Sequence, residues 1–142
     1  MEAIPVRRNY SNGRVPLNVE IAPGELIDKL TILQIKRERI ADPAKLANVE
    51  HEFRTLSRVL TEEVPSSSAL DALYAELRTI NEALWDIEDE IREHERSQDF
   101  GARFITLARA VYQTNDRRAV VKRQINDLLG SAIVEEKSYA PY

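Results

Sequence analysis

Arg118 lies in an otherwise apolar seam, and an arginine in such a place has few physical options. The seam runs Phe104, Leu107, Val111, Thr114, Arg118, Val121, Ile125 and Leu128. Its three- and four-residue spacing keeps one side of a helix together. The spacing never breaks, but the chemistry does, at Thr114 and Arg118 with Asn115 beside them. A bare buried charge is very costly, so the guanidinium must be paired or must reach water. An antiparallel partner helix turning near residue 99 brings Arg118 level with Ile80 and Asn81. One reading is an anion or carboxylate pocket inside a helical bundle, built from Arg118, Asn115, Thr114, Asn81 and Asp28. A second is a register-setting polar layer, in which Arg118 pairs with an acid such as Asp28 or Glu82. A third lets the side chain snorkel to solvent. The polar layer is the favoured of the three, because the seam resumes at Val121 and Ile125.

Other chemistries find less support. Asp86, Asp89 and Glu90 share a helix face, but the facing Glu-x-x-His pairs of a di-iron bundle are missing. His94 follows Glu90 by four residues and His51 sits between Glu50 and Glu52; both read as surface residues, and no metal site is expected. Ser66, Ser67 and Ser68 read as a turn and helix cap with no histidine placed beside them. The four glycines are isolated, so there is no phosphate loop. The basic stretch Arg117 to Arg123 lacks interleaved aromatics, which argues against nucleic acid. No catalytic residue and no cofactor are expected. Trp85 reads as an interface anchor. The segment Ile133 to Tyr139 mixes charges with an aromatic after a capped helix. It either lies across its own bundle or uses Glu135, Lys137 and Tyr139 to close a pocket or dock on a second subunit.

The elements that position these groups are helices. Leu70, Leu73, Leu77, Ile80, Leu84, Ile87 and Ile91 form an unbroken heptad. Leu46, Val49, Phe53, Leu56 and Leu60 form another, and the intervening Val64-Pro65-Ser66-Ser67-Ser68 predicts an antiparallel hairpin of the two. Asp42 as N-cap before Pro43 marks a helix start, and Gly130 a helix end. The spacing predicts helices over 25–40, 43–63, 69–96 and 102–129, the last continuous through Asn115-Asp116. The fold class is all-α: an antiparallel bundle of about four helices with long coiled-coil-like hairpins and extended terminal segments. Residues 1–22 read as irregular, with a short strand conceivable at 17–21; 23–130 as the bundle; and 131–142 as an extended tail. Leu30, Phe53, Leu77, Ile80 and Leu84 are the expected core.

Composition sets the outer bounds. Of the 142 residues, 43% are apolar and 31% charged, and the net charge of −4 gives no reason to bind a polyanion. There is no cysteine, which removes disulfides, thiolate metal sites and cysteine nucleophiles. No stretch approaches the roughly 18 apolar residues of a membrane span, and the polar N-terminus has no signal-type apolar core. A cytoplasmic location is expected, so the acceptor pattern Asn9-Tyr10-Ser11 reads as chance. The acidic block of Asp86, Glu88, Asp89, Glu90, Glu93 and Glu95 precedes a basic one of Arg103, Arg109, Arg117, Arg118, Lys122 and Arg123. Across a hairpin the two would offset each other and favour one register.

Three segments together carry a resemblance: Gly24 to Leu33, Asn81 to Asp89, and Asn115 to Tyr139. They resemble a family of small bacterial helical proteins of unknown function, over roughly residues 17–139. That resemblance implies a bacterial, soluble, helical protein and carries no activity. Ile27-Asp28 and Arg37 are also similar to the opening helix of helical chorismate mutases. The second helix lacks the matching Lys and Arg-Glu pattern, so no catalytic role is carried over. The expected function is a non-enzymatic module that assembles with itself or with a protein partner. The alternative is a small enzyme or binding protein for an anionic metabolite, centred on Arg118.

Overall fold

The computed structural model describes residues 16–142. Four helices follow in order: α1 (Pro23–Arg39), α2 (Pro43–Glu63), α3 (Ser68–Arg96) and α4 (Ala102–Leu128). Each predicted helix is present within two residues at either end. Asp42 caps α2, its carboxylate accepting from the backbone N–H groups of Ala44 and Lys45 at 2.8 and 3.2 Å. Ser67 caps α3 by accepting from Leu70 N at 3.1 Å. Gly130, with φ +64°, takes the left-handed turn after α4, and Ser131 N then donates to Asn126 O at 2.9 Å, a Schellman-type closure. α4 runs unbroken through Asn115-Asp116. Residues 16–22 and 132–142 have no regular structure, and the strand considered at 17–21 does not form. Asn9-Tyr10-Ser11 lies outside the described residues.

α3 and α4 form the long hairpin, and α1 lies across both of them. α2 packs along α1 and not along α3, which corrects the hairpin expected of the two heptad segments. Adjacent seams joined by a short loop do not dictate mutual packing when a third apolar helix is at hand. α1 is that helix. Leu26, Ile27, Leu30, Leu33 and Ile35 are all buried and cover more than one stripe, so it serves several neighbours at once. The central cluster joins Ile27 of α1 to Leu70, Leu77 and Ile80 of α3 and Val121 and Ile125 of α4. Leu60 and Val64, at the end of α2, pack on its edge.

Two expected core residues are less enclosed. Leu84 and Phe53 are half-buried. Arg37 places its guanidinium 4.3 Å from the centre of the Phe53 ring, so a cation rather than a third helix shields that face. The acidic and basic blocks meet only in part: Arg103 forks onto Glu90. Asp86 instead pairs with Arg39 of α1, and Glu88 and Glu93 pair with arginines on their own helix.

Candidate functional site: a polar layer open at one end

The layer starts at Asp28, which α1 holds with its side chain only 2% exposed. Its Oδ1 accepts from Arg118 Nε at 2.9 Å and from Asn81 Nδ2 at 2.9 Å. Its Oδ2 accepts from Arg118 Nη2. The fork-to-fork pairing is the geometry guanidinium and carboxylate favour. The other hydrogen of Asn81 Nδ2 goes to Thr31 Oγ1 at 2.8 Å, and that hydroxyl donates to Asp28 O at 2.8 Å. Three helices are thereby tied through one carboxylate: α1 by Asp28 and Thr31, α3 by Asn81, α4 by Arg118. Among the described residues no buried side-chain nitrogen or oxygen lacks a partner. Such completeness is what makes a buried polar layer tolerable.

A second tier follows one turn along α4. Lys122 donates to Glu25 Oε2 at 2.8 Å and pairs with Glu135 of the C-terminal segment at 3.0 Å. Burial opposes the Lys122 charge, but the hydrogen bonds to Glu25 and Glu135 outweigh it and its pKa is raised. A turn further on, Asn126 Oδ1 accepts from Gly24 N at 2.7 Å. Ala22, in the N-cap position of α1, has no side chain able to cap, and Asn126 takes over that task from another helix. Close approach is essential here: a Cβ on Gly24 would stand 2.5 Å from Lys122 O and 2.8 Å from Asn126 Oδ1.

The outer side of this layer is wet. Arg118 keeps 30% of its side chain exposed and lines a groove of about 740 Å³ between α4 and the C-terminal segment. Its wall also carries Asn115, Asp116, Lys122 and Arg123 on α4, and residues 135–139 opposite. Asn115 Oδ1 accepts from Arg118 Nη1 at 3.4 Å, a long and therefore weak hydrogen bond that a better acceptor could replace. Hydrogen bonding to Asp28 outweighs desolvation and raises the Arg118 pKa, so its charge is permanent.

Of the five residues that the sequence grouped at this site, Asp28, Asn81, Asn115 and Arg118 meet. Thr114 is buried on α4 one turn earlier, and none of the layer's hydrogen bonds involves it. Glu82, the other candidate acid, pairs with Arg78 instead. Sequence reasoning missed Thr31, Gly24, Glu25, Lys122 and Asn126. The available signal was the 122–126 step, one turn beyond Arg118 on the same face. Trp85 is half-buried with Arg39 above its ring at 6.0 Å. Tyr139 is 81% exposed, with Lys137 Nζ 5.4 Å from its ring. His51 is exposed, whereas His94 is half-buried with Nδ1 3.1 Å from Asp99 O in the α3–α4 turn. Among the described residues there is no cluster of three or more potential metal ligands and no helix long and apolar enough to cross a membrane.

Fold and site together define an all-α protein, four helices with a carboxylate–guanidinium layer open to a groove at one end. A family model described as a family of unknown function (DUF6165) matches residues 17–142, and the chain belongs to that family. No curated protein and no solved structure matches it.

Proposed function

We propose that the protein binds a small anion, bearing carboxylate or phosphate, in the groove beside α4, with Arg118 as the anchor. The observation that carries this is the double life of that side chain. Two of its five donors are committed to buried Asp28, which fixes the plane of the guanidinium before any ligand arrives; of the rest, Nη1 makes only a long contact to Asn115, and the residue lines the groove. A donor fork already held in place loses little freedom on binding. On the α4 side of the groove, Asn115 and Lys122 add polar groups beside the anchor. The donor set supports binding over catalysis, since the carboxylates of the site are engaged by its cations.

Isothermal titration of the full chain with citrate and with inorganic phosphate tests this. Saturable binding is expected for at least one of them. It should be lost in Asn115→Leu, which sets an apolar side chain beside Arg118 Nη1, and sharply reduced in Arg118→Lys, which keeps charge but not the fork. Binding that ignores both substitutions, or no binding of either anion, would sink the proposal.

Self-association is a second reading, favoured by the outer face of α4. Ile105, Tyr112 and Val120 are each at least 43% exposed along it. Light scattering across micromolar concentrations checks this reading: a dimer supports it, and a monomer of 16.3 kDa at all concentrations removes it.

A further inference from the structure

The C-terminal segment already places a carboxylate in the groove. After the turn at Gly130 the chain doubles back along α4. Glu135 sits on Lys122 at 3.0 Å, and Glu136 lies 3.7 Å from Arg123. Lys137 reaches Asp116 at 3.1 Å, and Tyr142 donates its hydroxyl to Asp116 Oδ2 at 2.5 Å while its ring meets Tyr112 edge-on at 5.0 Å. All these attachments are made by side chains; the backbone hydrogen bonds that tie the segment to α4 end at Ser131. Ion pairs this exposed hold weakly, so the segment is fastened at several points and firmly at none.

We infer that residues 131–142 are a built-in competitor for the groove: Glu135 occupies the place beside Lys122 and Arg118 that a ligand carboxylate would take, and ligand binding releases the segment. The inference rests on the reading that the groove takes an anion, and it adds the ligand's class and the means of control. Charge and position support it together. Of the groove's cations, Lys122 is the one most withdrawn from water, 11% exposed, and the segment meets it with an acid. Glu25, its other partner, is fixed in α1. Glu135 is therefore the exchangeable one. Release would also free Tyr142 from Tyr112 and Asp116, uncovering that aromatic face.

The full chain has no cysteine, and residue 138 is exposed, so Ser138→Cys gives one site for a spin label. The label should be restrained in the parent, and citrate should free it with the same midpoint as its binding isotherm. Glu135→Gln/Glu136→Gln should bind citrate roughly three- to tenfold tighter, the scale expected from losing two exposed ion pairs. A fluorescent peptide with the sequence of residues 131–142 should bind that variant in trans and be displaced by citrate; phosphate in place of citrate tells a general anion site from a carboxylate site. Equal or weaker citrate binding by the variant, or a label that stays restrained at saturation, would overturn the competitor while leaving the groove's anion site intact. Citrate and phosphate failing on parent and variant alike would remove the anion site, and this inference with it.

Discussion

Leu77 and Ile80 belong to the same heptad of α3 as Ile87 and Ile91, yet the first pair is buried and the second only half so. What separates them is the company they keep. The first pair faces α4 and also Ile27 of α1, closing a three-helix cluster with Val121 and Ile125. Further out, α1 ends at Arg39, and on α4 Leu107 is buried while Phe104 and Val111 are half-buried. A heptad therefore specifies which side of a helix is apolar. How dry that side becomes depends on how many helices reach it, and that number is set elsewhere in the chain.

The sharpest way to break this contrast lies in the polar layer of the inner half. Arg118→Met should destabilise by about 3–5 kcal/mol, because it strands the Asp28 carboxylate in an enclosed site. Asp28→Asn should cost less, since the freed guanidinium can turn to the groove and find water. Chemical denaturation of both variants checks the order, and a reversed ranking would mean that the layer is open at the Asp28 end. Leu77→Ala should cost about 2–5 kcal/mol, whereas Ile87→Ala should cost about 1 kcal/mol, as befits partial burial. Equal losses at the two positions would show that another surface covers the outer half in solution, and a concentration-dependent loss for Ile87→Ala would identify a second copy of the chain. Gly24→Ala should cost about 1–3 kcal/mol, because α1 must lift from α4 to make room for a methyl group 2.5 Å from Lys122 O. A neutral result in thermal melting would mean that the two helices part there at little cost.

The smallest effect concerns the C-terminal segment and pH. Hydrogen bonds from Tyr142 and Lys137 hold Asp116 below its ordinary 3.8, and the bond to Asp116 raises Tyr142 above its ordinary 10.0. A depressed carboxylate contributes above its unfolded pKa, and that contribution fades as pH falls through the lowered value. A raised phenol contributes below its unfolded pKa, and its share fades as pH climbs through the raised value. The spin label on Ser138→Cys should accordingly stay restrained from about pH 4 to 10 and loosen outside that window. Loosening near neutral pH would show that these contacts do not hold the segment.

Much of this architecture was legible in the chain. Caps such as Asp42-Pro43 and Ser67 act within a turn of themselves, so they fixed helix limits to within two residues. The seam interruption at Arg118 pointed to a partnered charge, and Asp28 was among the acids named for it. Partner choice was less legible. Nothing in the seam of α2 states whether it packs on α1 or on α3, because each of those helices carries apolar residues able to receive it. Gly24 read as one of four isolated glycines, when its missing Cβ is what lets two helices touch; that need belongs to the partner, Lys122 and Asn126, more than a hundred positions away in the latter case. Lys122 read as one more charge in a basic block, since Glu25, one of the two acids that pair with it, lies 97 positions away in the chain.

The tie between Gly24 and Asn126 bears on the order of assembly. It spans 102 positions, the Lys122–Glu25 pair 97, and the Asp28–Arg118 pair 90. Contacts so far apart in the chain form slowly, after nearby ones have shortened the search. The α3–α4 hairpin turns within a few residues and can zip from its own loop, whereas α1 stays without its partners on α4 until that helix has been made. Its buried carboxylate has no cation until position 118 exists. A chain broken off before α4 would therefore carry an unpaired acid in the middle of its most deeply packed helix, and could not bury that helix without stranding the charge.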